Sequence, residues 1–260
     1  MKIIVSLSIL LCFLISGLSI AISDPDLIVY FPYEEMSGNI ILDQSGNGHN
    51  GDVKGKIKIV DNGKRGKAAE FQQGDYIDMN GPDFAADQIP KNEITICAWV
   101  NCKKTGDHHE IFNARAADQT WVIHPEIRSE GAFRWLLRTD GGNTIFDFTA
   151  GVVEWEKWMH YAGVYDGKKS TLYINGESVG EGNGGAKIAK DWGLGARVGR
   201  TIDDARPFTG LMDDFNLWKR ALTKDEILII MTKGPEGIIK GESVSPNGNV
   251  ASTWGDLKSH

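Results

Sequence analysis

The stretch that decides the fold is WMHYAGVYDGKKSTLYING, residues 158–176. Residues 161–165 and 170–174 are runs of aromatic, branched and small side chains, which β-strands favour. Each run leads into an Asp-Gly or Asn-Gly dipeptide, and these dipeptides readily adopt the positive φ angles that tight antiparallel turns need. The stretch therefore predicts consecutive antiparallel strands joined by hairpins.

The same pattern of short strands and turns continues towards the N-terminus. Residues 27–31 and 93–100 are apolar runs of strand length, and residues 140–142 (Asp-Gly-Gly) form another corner. Residues 131–138 alternate apolar and basic side chains, as expected for a strand with one covered and one polar face. Many short strands at this spacing predict an all-β sandwich or barrel.

One short C-terminal helix interrupts the strands. Thr223 and Glu226 have the spacing of a capping box, and Gly234-Pro235 provides the stop signal. An apolar stripe on this helix is expected to pack on the sandwich; it contains Ile227, Ile230 and Met231. Residues 234–260 are rich in Gly, Ser and Asn, so we expect a tail with one late strand near residues 250–254.

Composition and charge exclude several classes of protein. The chain has 260 residues, 41% of them hydrophobic, so it can form a core and is not a disordered chain. Its formal net charge is −7 and it has no stretch dense in Lys and Arg, which argues against a nucleic-acid partner. The acidic balance instead favours neutral or cationic partners, including metal cations.

Residues 1–23 have the pattern of a secretory signal peptide. Lys2 precedes an apolar run over residues 3–15, and Ala21 and Ser23 are the small residues before a cleavage position at Asp24. A retained membrane anchor is the alternative, although the run is short for a span of about 20 residues. We expect a secreted protein with a single domain over residues 24–233 and no membrane span after cleavage.

The two cysteines after residue 23 are predicted to be unpaired. Cys97 and Cys102 lie five residues apart on one predicted strand, so their side chains point to opposite faces and cannot bridge while that strand stays straight. We expect one buried thiol and one near the end of the strand. The sequence also lacks Cys/His spacing typical of zinc sites.

Five segments in sequence order resemble the LamG-like jellyroll domains of the concanavalin A-like lectin/glucanase superfamily, to which laminin G and pentraxin domains belong. They are residues 31–51, 66–77, 94–100, 158–176 and 208–223. The resemblance covers residues 26–232 and implies a jellyroll sandwich of two curved antiparallel sheets. It also implies a binding module, because most members bind carbohydrate or protein rather than catalyse a reaction.

Asp213 indicates a metal site within this resemblance. It shares strand parity with apolar residues such as Leu211, and an unpaired carboxylate at an apolar face is costly. Calcium is a suitable cation because it prefers carboxylate and carbonyl oxygens. The resemblance implies a structural calcium held by Asp213, by Glu34 or its substitute Asp43, and by carbonyls of the Ser45–Gly48 loop, including Gly46. The alternative is that these acids cap turns or pair with Lys219 and Arg220.

Carbohydrate binding requires an exposed aromatic face flanked by polar donors and acceptors. The candidates lie off the predicted core face, and they are Trp121, His124, Arg134, Arg138, Asp140, Asn143 and Trp155. The alternative for an exposed Trp or Arg is that it covers neighbouring apolar surface.

No catalytic residues are predicted. Retaining glucanases of this fold carry three alternating acids on one strand, whereas Glu154-Trp155-Glu156 lacks the third acid. Of the superfamily's alginate lyase pattern, residues 122–124 keep only His124. His108-His109-Glu110 is interpreted as a solvated loop. We expect a secreted, non-catalytic module for polysaccharide or glycoprotein; the alternatives are a protein–protein adhesion or scaffold module and a divergent hydrolase or lyase.

Overall fold

The computed structural model describes residues 24–244 and 250–251. The predicted signal peptide, residues 1–23, and the final residues 252–260 lie outside this part. In chain order the strands are β1 (Leu27–Phe31), β2 (Met36–Ser37), β3 (Ile40–Ile41), β4 (Gly51–Lys54), β5 (Lys58–Val60), β6 (Ala68–Phe71), β7 (Tyr76–Asp78), β8 (Ile94–Cys102), β9 (His109–Glu110), β10 (Phe112–Arg115), β11 (Trp121–Ile123), β12 (Glu126–Ile127), β13 (Phe133–Arg138), β14 (Thr144–Ala150), β15 (Met159–Tyr165), β16 (Lys169–Ile174), β17 (Glu177–Asn183), β18 (Gly195–Val198), β19 (Gly210–Trp218), β20 (Ser243–Val244) and β21 (Val250–Ala251). Two α-helices, α1 (Lys224–Lys233) and α2 (Pro235–Ile239), and two 3₁₀ turns, Gly81–Asp83 and Asp140–Gly142, complete the elements.

The strands form two antiparallel sheets, which confirms the predicted all-β sandwich. The first sheet has eight strands in the order β17-β16-β15-β8-β19-β6-β5, with β1 paired to β19. The second has eleven, in the order β2-β3-β4-β7-β18-β10-β11-β13-β12-β9, with β14 paired to β13. The late strand β21 pairs only with β20, in a separate two-stranded sheet.

The hairpin stretch behaves as its sequence predicts. β15 pairs with β16 from Tyr161 opposite Ile174 to Tyr165 opposite Ser170. Asn175 and Gly176 then turn the chain into β17 with φ angles of 52° and 80°. Because both angles are positive, the turn matches the right-handed twist of the flanking strands.

The main core lies between the two sheets. In β13, Phe133, Trp135 and Leu137 are fully buried in it, while Arg134 and Arg138 point to the outer face of the second sheet. A second, smaller core covers the outer face of the first sheet, where Ile227 and Ile230 of α1 pack. The second sheet therefore has the more polar outer face.

Helix α1 begins with the predicted capping box, in which Thr223 and Glu226 satisfy each other's backbone donors. Helix α2 was not predicted; it starts at Pro235, a residue that favours the first helical turn. No helix within the described ranges is both long and apolar enough to span a membrane.

Cys97 and Cys102 lie on β8 and are unpaired, as predicted, and both are buried. Cys97 belongs to the smaller core and Cys102 to the main core, so the two thiols face opposite sides of the sheet.

Candidate functional site

A bulge in the second sheet brings Trp121 to the outer face. Ala114 of β10 pairs with Ile123, whereas the next residue, Arg115, pairs with Trp121. One residue of β11 is therefore unpaired, and Trp121 leaves the core side on which Ile123 lies. Trp121 is half-buried, and its indole stacks on the His124 imidazole at a centroid distance of 5.1 Å and an interplanar angle of 2°.

Three guanidinium groups surround the Trp121 ring. Arg206 lies 4.7 Å from the ring centroid, Arg115 5.8 Å and Arg138 5.9 Å. Such contacts are favourable because the face of an indole ring carries partial negative charge. We refer to Trp121, His124, Arg115, Arg138 and Arg206 as the Trp121 platform.

Glu126 lies beneath the platform and fixes two of its members. Its Oε2 atom lies 2.7 Å from His124 Nε2 and 2.6 Å from Arg206 Nε, and its Oε1 atom accepts a 2.6 Å hydrogen bond from Arg128. The side chain is fully buried. Burial alone would raise the pKa of Glu126, but the hydrogen bond from His124 and the arginine partners outweigh it and lower its pKa to about 2.

Glu110 lies directly opposite Glu126, because β9 pairs with β12. Within the described structure neither of its carboxyl oxygens accepts a hydrogen bond, although His124 Nε2 is 3.2 Å from Oε2. Burial, and then the charge of Glu126, raise the pKa of Glu110 well above its usual range. Burial of Glu110 beside the Glu126 carboxylate therefore favours the protonated form of its carboxyl group. The interpretation of residues 108–110 as a solvated loop is wrong for His109 and Glu110, since pairing with β12 buries both.

Glu110, His124 and Glu126 offer ligand atoms within 4.8 Å of one another, the composition of a divalent metal site. The surroundings do not fit a metal. Asn113 Nδ2 lies 3.1 Å from His124 Nδ1 while Asn113 Oδ1 accepts from the Ile202 amide, so the imidazole proton resides on Nε2 and blocks that ligand position. Three arginines also surround Glu126 within 4.0 Å, and their charge opposes a cation.

Two opposed carboxyl groups with pKa values shifted apart are also typical of acid–base catalysis. Here both are fully buried, and Glu126 is enclosed by its histidine and arginine partners. A glycosidic bond on the surface cannot reach them. Of the two carboxyl groups, that of Glu126 contacts His124 and Arg206 of the platform.

The other predicted sugar-binding residues lie in three places. Arg134 is on the same outer face and forms a two-pronged ion pair with Asp147 at 2.7 Å. Asp140 and Asn143 are exposed at the turn after β13, where Asp140 lines a cavity of about 280 Å³. Trp155 is half-buried against the main core, with its ring edge-on to His109. The structure therefore brings Trp121, His124, Arg134 and Arg138 together and leaves the remaining three apart.

The predicted calcium ligands do not form one cluster. Asp43 already accepts hydrogen bonds from the backbone N–H groups of Tyr30, Ser45 and His49, so it caps the loop that contains Gly46. Glu34 is exposed, with a 3.3 Å hydrogen bond from the Lys67 amide. Among the described residues, Glu34, Asp43 and Asp213 are not a set of carboxylates within 4.8 Å.

Asp213 retains the feature that suggested a metal. Its Oδ2 atom accepts 2.8 Å hydrogen bonds from the Lys64 and Arg65 amides, but its buried Oδ1 atom has no partner within the described residues. Burial, and then the charge of Asp214, raise the pKa of Asp213 to about 7. Calcium at this position stays a prediction, and other ligands would have to come from carbonyls or from side-chain movement.

Comparison with known proteins settles the family. A family model described as concanavalin A-like lectin/glucanases superfamily matches residues 71–228, more than half of the chain. The chain belongs to this superfamily. Among curated proteins, pentraxin-related protein PTX3 of Bos taurus is 24% identical over 146 residues, which span 52% of this chain and 37% of that protein.

Two solved structures have a similar fold at low sequence identity. The binding domain of Paraclostridial Mosquitocidal Protein 1 is 17% identical with a TM-score of 0.61, over 79% of this chain and 52% of that one. Domain 4 of AbnA, an extracellular arabinanase from Geobacillus stearothermophilus solved with arabinotriose, is 20% identical with a TM-score of 0.52, over 78% of this chain and 96% of that one. The first of these two structures is described as a binding domain, and the second was solved with a bound saccharide.

Sequence reasoning missed the residues that hold the platform. Glu126 shares strand parity with His124, so a search for acids two positions from each candidate would have found it. Arg206 gave no such signal, because it lies on the loop between β18 and β19 with a φ of 52°.

Proposed function

We propose that this protein is a secreted, non-catalytic module that recognises carbohydrate, free or on a glycoprotein, through the Trp121 platform. The observation that carries the proposal is the half-buried Trp121, stacked on a buried histidine and surrounded by arginines on the outer face of a sheet. One indole face lies on His124, and a sugar ring would stack its C–H groups on the part of the indole that is exposed between the arginines.

Rigidity of the platform supports recognition. His124 is held by Asn113 and Glu126, and Arg206 is held by Glu126. Side chains that are fixed before the ligand arrives lose little conformational entropy on binding. A buried ionic network under a surface tryptophan is therefore consistent with a preformed binding site.

The superfamily relatives favour the same function. Domain 4 of AbnA was solved with arabinotriose, and the mosquitocidal protein domain is described as a binding domain. The burial of Glu110 and Glu126 supports the non-catalytic part of the proposal, because it separates both carboxyl groups from a ligand on the surface. Secretion is supported by the signal-like residues 1–23.

A protein–protein adhesion module has less support. Such a module would present a contiguous apolar surface. In the described part of the chain, four large apolar side chains are exposed, and they lie on separate segments: Val152, Val179, Leu194 and Ile239. The apolar stripe of α1 is used internally, since Ile227 and Ile230 are buried against the first sheet.

The test is retention of the full chain on a glycan array and on insoluble polysaccharides. Trp121→Ala should reduce retention about tenfold or more, because stacking of an aromatic side chain is a main source of binding free energy. Trp121→Phe should keep part of it. Tyr173→Ala is the matched control, since Tyr173 is a half-buried aromatic residue packed on the smaller core of the other sheet.

The outcomes separate the alternatives. Binding that survives Trp121→Ala would place the site elsewhere, and no binding to any glycan would contradict the proposal. Capture of a glycoprotein that free sugars do not displace would favour the adhesion module. Release of soluble products from a polysaccharide would contradict the absence of catalysis.

A further inference from the structure

We infer that the carbohydrate recognised at the Trp121 platform is anionic, with a carboxylate or a sulfate ester that binds the Arg138 guanidinium. The inference rests on the proposed function and specifies its ligand class. It follows from the pairing of charges around Trp121.

Each of the other arginines near the platform has a carboxylate partner. Arg115 lies 3.6 Å from Asp203, Arg206 2.6 Å from Glu126, and Arg134 2.7 Å from Asp147. Arg138 has no side-chain hydrogen bond and no ion pair with any described residue, and its Nε atom is buried without an acceptor. A guanidinium group with a desolvated donor and no anion is a costly arrangement unless a ligand supplies the anion.

The position of Arg138 suits such a ligand. It is the last residue of β13, it points to the outer face, and its carbon Cζ lies 5.9 Å from the Trp121 ring centroid. A sugar ring stacked on Trp121 would therefore hold an acidic substituent within reach of Arg138. Guanidinium groups bind carboxylate and sulfate oxygens with two parallel hydrogen bonds, which ammonium groups cannot reproduce.

Positive charge continues beyond Arg138. The Ala189 amide donates a 2.9 Å hydrogen bond to the Arg138 carbonyl oxygen, and this holds the segment that carries Lys187 and Lys190 against the end of β13. Both lysines line the 280 Å³ cavity, together with Lys91 and the single acid Asp140. Of the described residues, only Lys190 is paired there, with Asp140 at 3.8 Å. A chain with a net charge of −7 thus keeps a local cationic path next to its aromatic platform.

The experiment measures affinity of the full chain for four soluble polymers by titration calorimetry. They are a polyuronate, the same polymer with its carboxyl groups reduced to alcohols, a sulfated galactan and a neutral arabinan. We expect tighter binding to one or both anionic polymers than to the carboxyl-reduced polymer. Arg138→Gln should lower that affinity roughly tenfold or more, since a hydrogen-bonded charge pair is lost, and should lower the affinity for the neutral arabinan by a smaller factor.

The four polymers distinguish a carboxylate ligand from a sulfate ligand. A carboxylate ligand should bind the polyuronate best and lose most of its affinity in Arg138→Lys as well, because the two-pronged geometry is gone. A sulfate ligand should prefer the sulfated galactan. Arg220→Gln is the matched control, because Arg220 also flanks a tryptophan, Trp218, at 5.1 Å, but belongs to the other sheet.

Two results would overturn the inference. The first is equal affinity for the polyuronate, the sulfated galactan and the carboxyl-reduced polymer, or an equal loss of affinity for all of them in Arg138→Gln. It would contradict an anionic ligand but not the proposed function. Absence of binding to every polymer, including the neutral arabinan, would remove both.

Discussion

Glu126 shows how one residue can organise a surface while remaining hidden from it. The carboxylate contacts His124, Arg128 and Arg206, and through them it fixes the face on which Trp121 stacks. The carboxyl oxygens of Glu110, directly opposite, accept no hydrogen bond within the described residues, and burial raises the pKa of this carboxyl group. Two buried glutamates of the same sheet therefore make different contributions to stability.

Replacement of each glutamate by glutamine should separate these contributions. Glu126→Gln removes the only carboxylate that Arg206 contacts within the described structure, and we expect a loss of about 3–5 kcal/mol in the free energy of unfolding. Because burial favours the protonated form of Glu110, Glu110→Gln should change the free energy of unfolding by less than about 1 kcal/mol at neutral pH. Denaturant titrations of both variants measure the difference. A loss for Glu110→Gln as large as that for Glu126→Gln would show that Glu110 is ionised.

For single residues, the sequence predicted the orientation of some side chains of the site but not the burial of others. Alternation along residues 131–138 placed Arg134 and Arg138 on the polar face correctly. Trp121 was also expected off the core face, although strict alternation would place it on the face of Ile123. The β10–β11 bulge that turns it outward is a property of the strand pairing and leaves no mark in either strand's composition. Glu110 was predicted to be solvated because the residues around it are polar. Its strand β9 is buried by pairing with β12, which the local sequence does not show.

Among the elements, helix α1 determines which part of the first sheet is covered. It packs on the outer face of the first sheet over β1, β8, β15 and β19, so this part of that face is not available for a ligand. The helix could be predicted because its capping box and stop signal are local. Helix α2 could not, because Gly234 and Pro235 also fit a tail. The hairpins were predictable for the same reason as α1, since Asn-Gly turns determine their own geometry.

The capping box gives a test of the element. Thr223→Ala should lower the free energy of unfolding by about 1 kcal/mol, because the Glu226 amide loses its acceptor at the helix N-terminus. Thr232→Ala in the same helix is the control; its hydroxyl bonds to the Leu228 carbonyl in mid-helix, and we expect little change. Equal losses in thermal and denaturant unfolding for both variants would contradict a capping role.

On the scale of the whole molecule, β19 is where the parts of the first sheet meet. Its first residues pair with β6 and its last with β1, and a bulge with Asp214 at a φ of 50° lies between them. Asp213 and Asp214 are both buried at this junction. The sequence pointed to a carboxylate needing a partner, but the amides that provide it come from the β5–β6 loop, which only the tertiary structure brings near.

This junction makes stability depend on pH. The folded-state pKa of Asp213 is raised to about 7, so the folded protein binds more protons than the unfolded chain between about pH 4 and about pH 7. Its contribution to stability therefore falls as pH rises through this window and is constant above it. Asp213→Asn should gain stability relative to the natural chain from pH 5 to pH 8, measured by thermal melting in chelator.

Bound calcium would reverse the difference in stability between the natural chain and Asp213→Asn. If Asp213 holds the predicted ion, added calcium at pH 8 should raise the melting temperature of the natural chain and not that of Asp213→Asn, since a ligand bound only by the native state stabilises it. The same melting temperature with calcium and with chelator would contradict the predicted calcium site and leave Asp213 and Asp214 as buried structural acids.

The opposite orientation of Cys97 and Cys102 on β8 has a practical consequence for folding. Neither thiol can reach the other, and burial raises the pKa of both, so both resist oxidation. Within residues 24–244 the folded sandwich is therefore held together without a disulfide, and its two thiols are open to oxidants only when it unfolds.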